Sequence, residues 1–240
     1  MKEKEMVVGI LGGMGSYATV DFFRRLIEAF PAEKEWDRPR VIIDNNCTMP
    51  SRVRAILYHE NEEYLTELLC QSVNHLAMCG ANKIILACNT SHYFLPEIKK
   101  RLPEKASYLM NIIEACALVL QERKMHEVFL IASEGTIQSK IYDEVFCQYG
   151  IDIIEPSLDE YVIIREFIET IKQNKISEKK IAQFEQYLNH INYPIVLGCT
   201  ELPVFLSHCR KENILDFNRI IDSLQCVIDQ LVKQYYKKKR

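Results

Sequence analysis

The chain has 240 residues, of which 48% are apolar and 26% charged, with a net charge of −3. That balance describes an ordinary soluble globular protein of one large or two small domains, and it gives no electrostatic basis for binding nucleic acid or an anionic membrane. No apolar run approaches the roughly 20 residues a membrane helix needs.

Met1-Lys2-Glu3-Lys4-Glu5 leads straight into a strand, so no secretory leader is expected. Met6 to Leu11 is that strand, and Gly9-Ile10-Leu11-Gly12-Gly13-Met14-Gly15-Ser16 carries it through a glycine loop into a helix from Tyr17 to Phe30. Val41 to Asp44 is a second strand, followed by a loop holding Pro50-Ser51-Arg52. A helix from Glu62 to Cys79 ends at Gly80, a C-cap residue. The aliphatic run Lys83 to Ala87 is a buried strand that stops at Cys88-Asn89-Thr90. A helix from Tyr93 to Arg101, a short strand at Tyr108 to Met110 and a helix from Ile112 to Glu122 follow.

The pattern then restarts. Glu127 to Ala132 is a strand, Ile137 to Gln148 a helix and Ile151 to Ile154 a strand. Helices follow at Asp159 to Gln173 and Ser177 to Asn189. Ile195 to Leu197 is a strand that stops at Gly198-Cys199-Thr200-Glu201, and Leu202 to Ser207 is a short helix. Ile214-Leu215 is a candidate last strand before an amphipathic helix from Arg219 to Tyr236, and Lys237 to Arg240 is a solvated tail.

This alternation implies parallel sheets covered by helices on both faces, an α/β fold. Val7 to Gly15 corresponds to Val128 to Thr136, and Cys88 corresponds to Cys199, so the chain reads as a duplicated half with a cleft between the copies. We expect two pseudo-symmetric domains, residues 1–108 with 212–240, and residues 109–211. The final helix then returns to the first half.

Nine cysteines, an odd number in a chain of this size, point to free thiols in a reducing cytoplasm rather than to a disulfide scaffold. There is no Cys-x-x-Cys pair, and Cys199, His208 and Cys209 lack the pattern of a zinc site. A single cysteine at a strand end is commonly a small core residue. Core packing, however, does not require the same Cys-Thr punctuation twice. At such strand ends, backbone N–H groups favour a thiolate. Two thiols facing one cleft suit taking a proton from one face of a carbon and returning it to the other.

Gly13-Met14-Gly15-Ser16-Tyr17-Ala18 fits the dinucleotide pattern G-x-G-x-x-A, but its acidic partner is missing at the usual distance; Asp44 lies too far on. A loop that offers backbone N–H groups to a carboxylate fits better. Arg52 falls at the same edge of the sheet as Cys88 and is suited to bidentate capture of a carboxylate; a structural role is the alternative. Arg54 is read as structural. His92 orients a backbone group, tunes the thiol or simply caps. Glu201 is either a partner of Cys199 or a first-turn glutamate favoured by the helix dipole. Lys172, late in its helix, is either a solvated charge or a residue that reaches the cleft.

Together these residues resemble the aspartate/glutamate racemase family, specifically its cofactor-independent aspartate racemases. The likeness runs over essentially the whole chain. It is carried by the glycine loop, Asn45-Asn46 with Met49-Pro50-Ser51-Arg52, Cys88-Asn89-Thr90-Ser91-His92, Gly135-Thr136-Ile137 with Tyr142, and Leu197-Gly198-Cys199-Thr200-Glu201-Leu202. The resemblance implies four-stranded parallel sheets in each half, the site between them, and no pyridoxal phosphate, metal or nucleotide. It implies Cys88 and Cys199 as the acid/base pair and Arg52 as the holder of the substrate's side-chain carboxylate, with Lys172 as a second such residue. Met14, Asn89, Thr90, Thr136 and Thr200 would hold the α-carboxylate and amine, while Gly12, Gly13, His92 and Glu201 would support them. Three positions depart from the family pattern: Ser16 for the usual Pro, Ser51 for the usual Asp, and Asp216-Phe217-Asn218 for the usual Asp-Pro. The change at Ser51 leaves aspartate and glutamate both open.

The expected activity is therefore interconversion of L- and D-aspartate, or glutamate, by two cysteines, in a cytoplasmic homodimer whose partner is a small acidic amino acid. The alternatives are a related cysteine-dependent isomerase or decarboxylase, such as a hydantoin racemase or maleate isomerase, and a non-catalytic amino-acid-binding protein on the same fold.

Overall fold

The computed structural model describes residues 5–214 and 216–239. Eight strands are seen there: β1 Val7–Gly12, β2 Arg40–Asn45, β3 Lys83–Leu86, β4 Leu109–Met110, β5 Glu127–Ala132, β6 Asp152–Ile154, β7 Ile195–Gly198 and β8 Ile220–Asp222. They form two four-stranded sheets of the same order, β2-β1-β3-β4 and β6-β5-β7-β8, and every pairing is parallel. Parallel strands need helical crossovers, and these cover both faces of each sheet. That explains why the inner strands read as unbroken aliphatic runs rather than as alternating ones.

The register places the chemistry. Leu11 pairs with Leu86, and Ile131 with Leu197. The glycine loop after β1 and Cys88 after β3 therefore emerge side by side at the carboxyl edge of the first sheet. Ser133 to Thr136 and Cys199 do the same in the second. This is the edge at which open α/β sheets bind ligands.

Three apolar clusters hold the molecule together. One lies under helix Glu62–Met78 in the first half, and one under helices Leu158–Lys172 and Glu178–His190 in the second. The third is shared, and joins Phe22 and Leu26 of helix Ser16–Ala29, Leu120 of helix Ile112–Glu122, and Val227 and Leu231 of helix Ser223–Lys239. The halves are thus packed through a common core. Among the described residues no helix is long and apolar enough to cross a membrane.

Several local expectations are corrected. Arg52 is not in a loop but opens a helix, Arg52–Tyr58, with Ser51 Oγ accepting the amide N–H of Arg54 at 3.3 Å. Serine caps helices as aspartate does, so the departure at Ser51 keeps its local role. Residues 137–148 are not one helix: Lys140 is left-handed (φ 55°) between helices Glu134–Gln138 and Ile141–Phe146. The turn after Cys88 is a 3-10 turn, Thr90–Phe94, ahead of helix Leu95–Arg101. Ile214 is a buried bend residue and Leu215 lies outside the described residues, so the last strand is β8 instead. The last helix starts at Ser223 because the Asp222 carboxylate accepts from the amides of Leu224 and Gln225. It continues to Lys239, and Arg240 lies outside the described residues.

Strand pairing puts Leu109–Met110 with the first sheet and Ile220–Asp222 with the second. Contacts also run back from the end of the chain to the first half. Arg25 pairs with Asp222 at 2.6 Å, and the Tyr235 and Tyr236 hydroxyls donate to the carbonyls of Asp37 and Pro31.

Candidate active site

The glycine loop is glycine for steric reasons. Gly13 has φ 81°, and a Cβ there would lie 2.3 Å from the Asn46 backbone. A Cβ on Gly15 would lie 2.3 Å from Glu201 Oε1. The loop thus lets a carboxylate from the other half come against its backbone.

Cys88 and Cys199 are both buried, and their segments touch. Thr200 Oγ1, next to Cys199, donates to the carbonyl of Ala87, next to Cys88, at 3.3 Å. Around this junction the halves are joined by side chains. Thr90 Oγ1 lies 2.8 Å from Thr136 Oγ1 and 3.0 Å from Ser133 Oγ. Gly135 admits Val53 of the Arg52–Tyr58 helix so closely that a Cβ would sit 3.1 Å from its Cα. The Asn89 amide donates to Ser223 Oγ at 3.0 Å and accepts from the Tyr142 hydroxyl at 2.7 Å. Its side chain is thus engaged by both the last helix and the Ile141–Phe146 helix.

Cys199 Sγ donates to Glu201 Oε2 at 3.0 Å, and the Thr200 hydroxyl, whose single proton is shared with the Ala87 carbonyl, lies 3.4 Å from the same oxygen. Burial first, then the Glu201 charge and this bond, push the Cys199 thiol well above its ordinary range. The thiolate expected at this strand end is thus not the form this environment favours. Helix-terminus donors are outweighed by burial and, after it, by the Glu201 carboxylate. Lys172 is exposed and bonds to Glu169 at 3.0 Å; partial burial disfavours its ammonium, but the charges of Glu201 and Cys199 and that bond more than offset this, so its pKa is raised.

Arg52 bridges two segments: Nη1 donates to the Pro50 carbonyl and Nη2 to the Met14 carbonyl, each at 3.0 Å. Met14 is buried, and its sulfur accepts from Ser91 Oγ at 2.8 Å. Among the described residues Arg52 Nε and Glu201 Oε1 are buried with no hydrogen-bond partner. One is a donor on a cation and the other an acceptor on an anion. Both side chains lie against Met14-Gly15.

His92 is buried beneath Cys88, with its Nδ1 3.0 Å from the Cys88 carbonyl and its Nε2 3.3 Å from the Ile112 amide nitrogen. Burial lowers its pKa from 6.5 to about 4, and the nearby Lys99 charge acts in the same direction. In the unfolded chain the imidazole protonates first as pH falls. The stability it contributes is therefore complete above about pH 6.5 and is lost as pH drops toward about 4. At about 1.4 kcal/mol per unit, roughly 3 kcal/mol should disappear across that window. Urea midpoints measured from pH 7 to pH 4 check this, and a flat profile in that window contradicts it.

Arg54, read as structural, makes an exposed pair with Glu60 at 2.5 Å. Among the described residues no three His, Cys, Asp or Glu side chains group as a metal cage requires. The sequence reading passed over Ser133 and Ser223. Ser133 was within reach, because it follows β5 as the glycine loop follows β1. Ser223 carried no signal, since its role depends on the last helix meeting Asn89.

The description Asp/Glu/Hydantoin racemase belongs to the family profile that matches residues 11–231. The chain is 26% identical over 236 residues to the broad specificity amino-acid racemase RacX of Bacillus subtilis (strain 168), covering 95% of this chain and 98% of that protein. It is 23% identical over 228 residues to the glutamate racemase of Aquifex aeolicus (strain VF5), covering 94% and 82%. Among solved structures, the aspartate racemase of Picrophilus torridus superposes with a TM-score of 0.76 at 28% identity, covering 96% and 94% of the two chains. With two like sheets, paired strand-end cysteines and a match over nearly its whole length, the chain belongs to the Asp/Glu/Hydantoin racemase family.

Proposed function

We propose that this racemase interconverts L- and D-aspartate, and glutamate more weakly, with Cys88 and Cys199 as the two acid/base groups and no cofactor. The observation that carries the reading is the Thr200–Ala87 hydrogen bond, which joins the residues next to two buried strand-end cysteines from opposite halves. The orphan donor on Arg52 and orphan acceptor on Glu201 support it, because an amino acid offers a carboxylate and an ammonium to match them.

One cysteine would remove the α-proton as thiolate while the other, as thiol, delivers a proton to the opposite face. Cys199 is the group held as thiol in this state. In the opposite direction the roles exchange: Cys199, left as thiolate by the forward turnover, removes the proton and the Cys88 thiol returns one. Charge developing on the α-carboxylate would be met by backbone N–H groups of the glycine loop and of Asn89-Thr90, with the Thr90, Thr136 and Thr200 hydroxyls nearby. Arg52, with Lys172, would hold the far carboxylate and so position the α-carbon. The same reading takes the chain as two halves, adjusted so that β4 goes with the first and β8 with the second, acting as a homodimer in the cytoplasm.

The deciding experiment is solvent deuterium exchange at Cα, with each enantiomer of aspartate, glutamate, alanine and serine offered separately. Exchange confined to acidic substrates supports the proposal. Comparable exchange on neutral ones supports a broader-specificity racemase, the reading that the Bacillus subtilis relative favours. No exchange at all favours a binding protein or another isomerase chemistry.

Activity should survive exhaustive dialysis against a chelator, with no pyridoxal or flavin absorbance in the active protein. A stoichiometric metal or chromophore whose removal stops turnover overturns the assignment. Glu201→Gln should remove the charge that opposes the Cys199 thiolate, so Cys199 alkylation by iodoacetamide, followed peptide by peptide, should set in at lower pH. An unchanged alkylation profile means that Glu201 does not govern this thiol.

A further inference from the structure

We infer that His92 is a positioning residue for Cys88: a neutral imidazole that carries the rigidity of the shared core to the catalytic backbone. This rests on the function proposed above.

Ile112 is the first residue of helix Ile112–Glu122. The amides of the next two residues, Ile113 and Glu114, are taken by Asn111 Oδ1 at 3.0 and 3.3 Å. The Ile112 N–H is one of the orphan donors that every helix start presents. It donates to His92 Nε2 at 3.3 Å, which assigns the acceptor role to Nε2 and the ring proton to Nδ1, 3.0 Å from the Cys88 carbonyl, although the Met110 and Asn89 backbone also lies within bonding range of the ring. A helix start thereby sets the tautomer, and the tautomer sets the bond to Cys88. The helix itself is anchored in the core common to both halves through Ile113, Ala117 and Leu120. The chain of contacts runs from that core, through one ring, to the backbone of a proposed base.

The second half has no such device. Pro203 follows Cys199 at the spacing at which His92 follows Cys88, and Asp222 takes the place of Asn111 before the last helix. Cys199 is instead engaged at its sulfur by Glu201. The two pseudo-equivalent thiols are therefore controlled differently, Cys88 through its main chain and Cys199 through its side chain. His92 has no role here as an acid, a base or a charge. Burial keeps it neutral, and the groove on its outer side is lined by two charged residues, Lys99 and Glu144.

Two substitutions divide its bonds. Asparagine places an amide near the Nδ1 position and can still donate to the Cys88 carbonyl. Glutamine places its amide near Nε2 and can still accept from Ile112, but it loses Cys88. With racemisation as the readout, His92→Asn should keep kcat within about threefold. His92→Gln should lose it by up to about 10²-fold, with KM little changed, the scale for a small misplacement of a reacting group. Both should lower thermal stability to a similar extent. If kcat falls equally in both, or falls only in step with stability, His92 is merely structural and the inference is wrong.

Two measurements do not depend on turnover. Peptide-resolved alkylation of Cys88 should change in rate in His92→Gln and not in His92→Asn, whether or not the wild type racemises aspartate. In the wild type, nitrogen NMR of the imidazole should show a neutral ring protonated at Nδ1 at pH 6. An imidazolium or the Nε2–H tautomer there overturns the inference even if neither variant folds. Absence of wild-type Cα exchange, with the alkylation and NMR results as expected, counts against the racemase reading alone.

Discussion

Cys88→Ser and Cys199→Ser should each lower interconversion of the aspartate enantiomers by roughly 10²–10⁴-fold, the range that positioned acid/base groups contribute. A serine hydroxyl fits the space of a thiol but is far less acidic, so it can neither rest as the anion nor give up its proton readily. The effect should be on chemistry and not on folding. At position 199 the new hydroxyl can keep the bond to Glu201 Oε2 that Cys199 Sγ makes at 3.0 Å. At position 88 the backbone bond to His92 is untouched. Unfolding midpoints should therefore shift little. The two variants should also differ from each other. If each thiol serves one face of the α-carbon, each variant should retain solvent exchange of the α-proton for one enantiomer only, and the two should retain opposite ones. Proton NMR of each enantiomer in deuterated buffer reads this directly. Near-normal interconversion in either variant removes that cysteine from the mechanism.

Arg52→Ala should cost aspartate turnover about 2–5 kcal/mol in kcat/KM, the scale for removing one partner of a desolvated charge pair. A dicarboxylate entering a buried cleft must find a cation for its second carboxylate, because burying that charge unpaired is far more costly than any packing gain. The Arg52 guanidinium has a buried Nε with no partner, while its two outer nitrogens hold the Pro50 and Met14 carbonyls. The alanine variant therefore has two possible consequences, loss of carboxylate recognition and slackening of the glycine loop. Alanine as substrate separates them. If Arg52 reads the side-chain carboxylate, the preference for aspartate over alanine collapses in the variant. If it only ties down the loop, both substrates fall together. Arg52→Lys should restore part of the activity, since an ammonium carries the charge but cannot make the planar forked contact. Equal aspartate kinetics in wild type and Arg52→Ala would sink the assignment of substrate class.

Much of the architecture was legible in the residues. Unbroken aliphatic runs between amphipathic helices admit little but buried parallel strands, and the recurrence of Cys-Thr after two of them disclosed the duplication. These are local signals: strand burial, helical period and a glycine needed at positive φ are each decided by near neighbours in the chain. Local signals were insufficient where a segment's state depends on what packs over it. Residues 52–58 have no long apolar stripe, yet they form a helix because Ser51 caps them and Ala55 is buried against the first half. The last strand could not be located from the chain, since β8 is three residues long and exists by pairing with β7.

The chemistry divides in the same way. That Cys88, Cys199 and Arg52 lie at the carboxyl edges of their sheets follows from the parallel direction of the strands, which the alternating pattern implies. The raised pKa of the Cys199 thiol owes most to its burial, which only the tertiary structure supplies, and then to Glu201, two residues on, whose Oε2 lies 3.0 Å from its sulfur. That Asn89 faces Ser223 and Tyr142 was decided by tertiary structure. Where a buried side chain points is set by surfaces distant in sequence, and for Asn89 these meet only when the two halves close on their shared core.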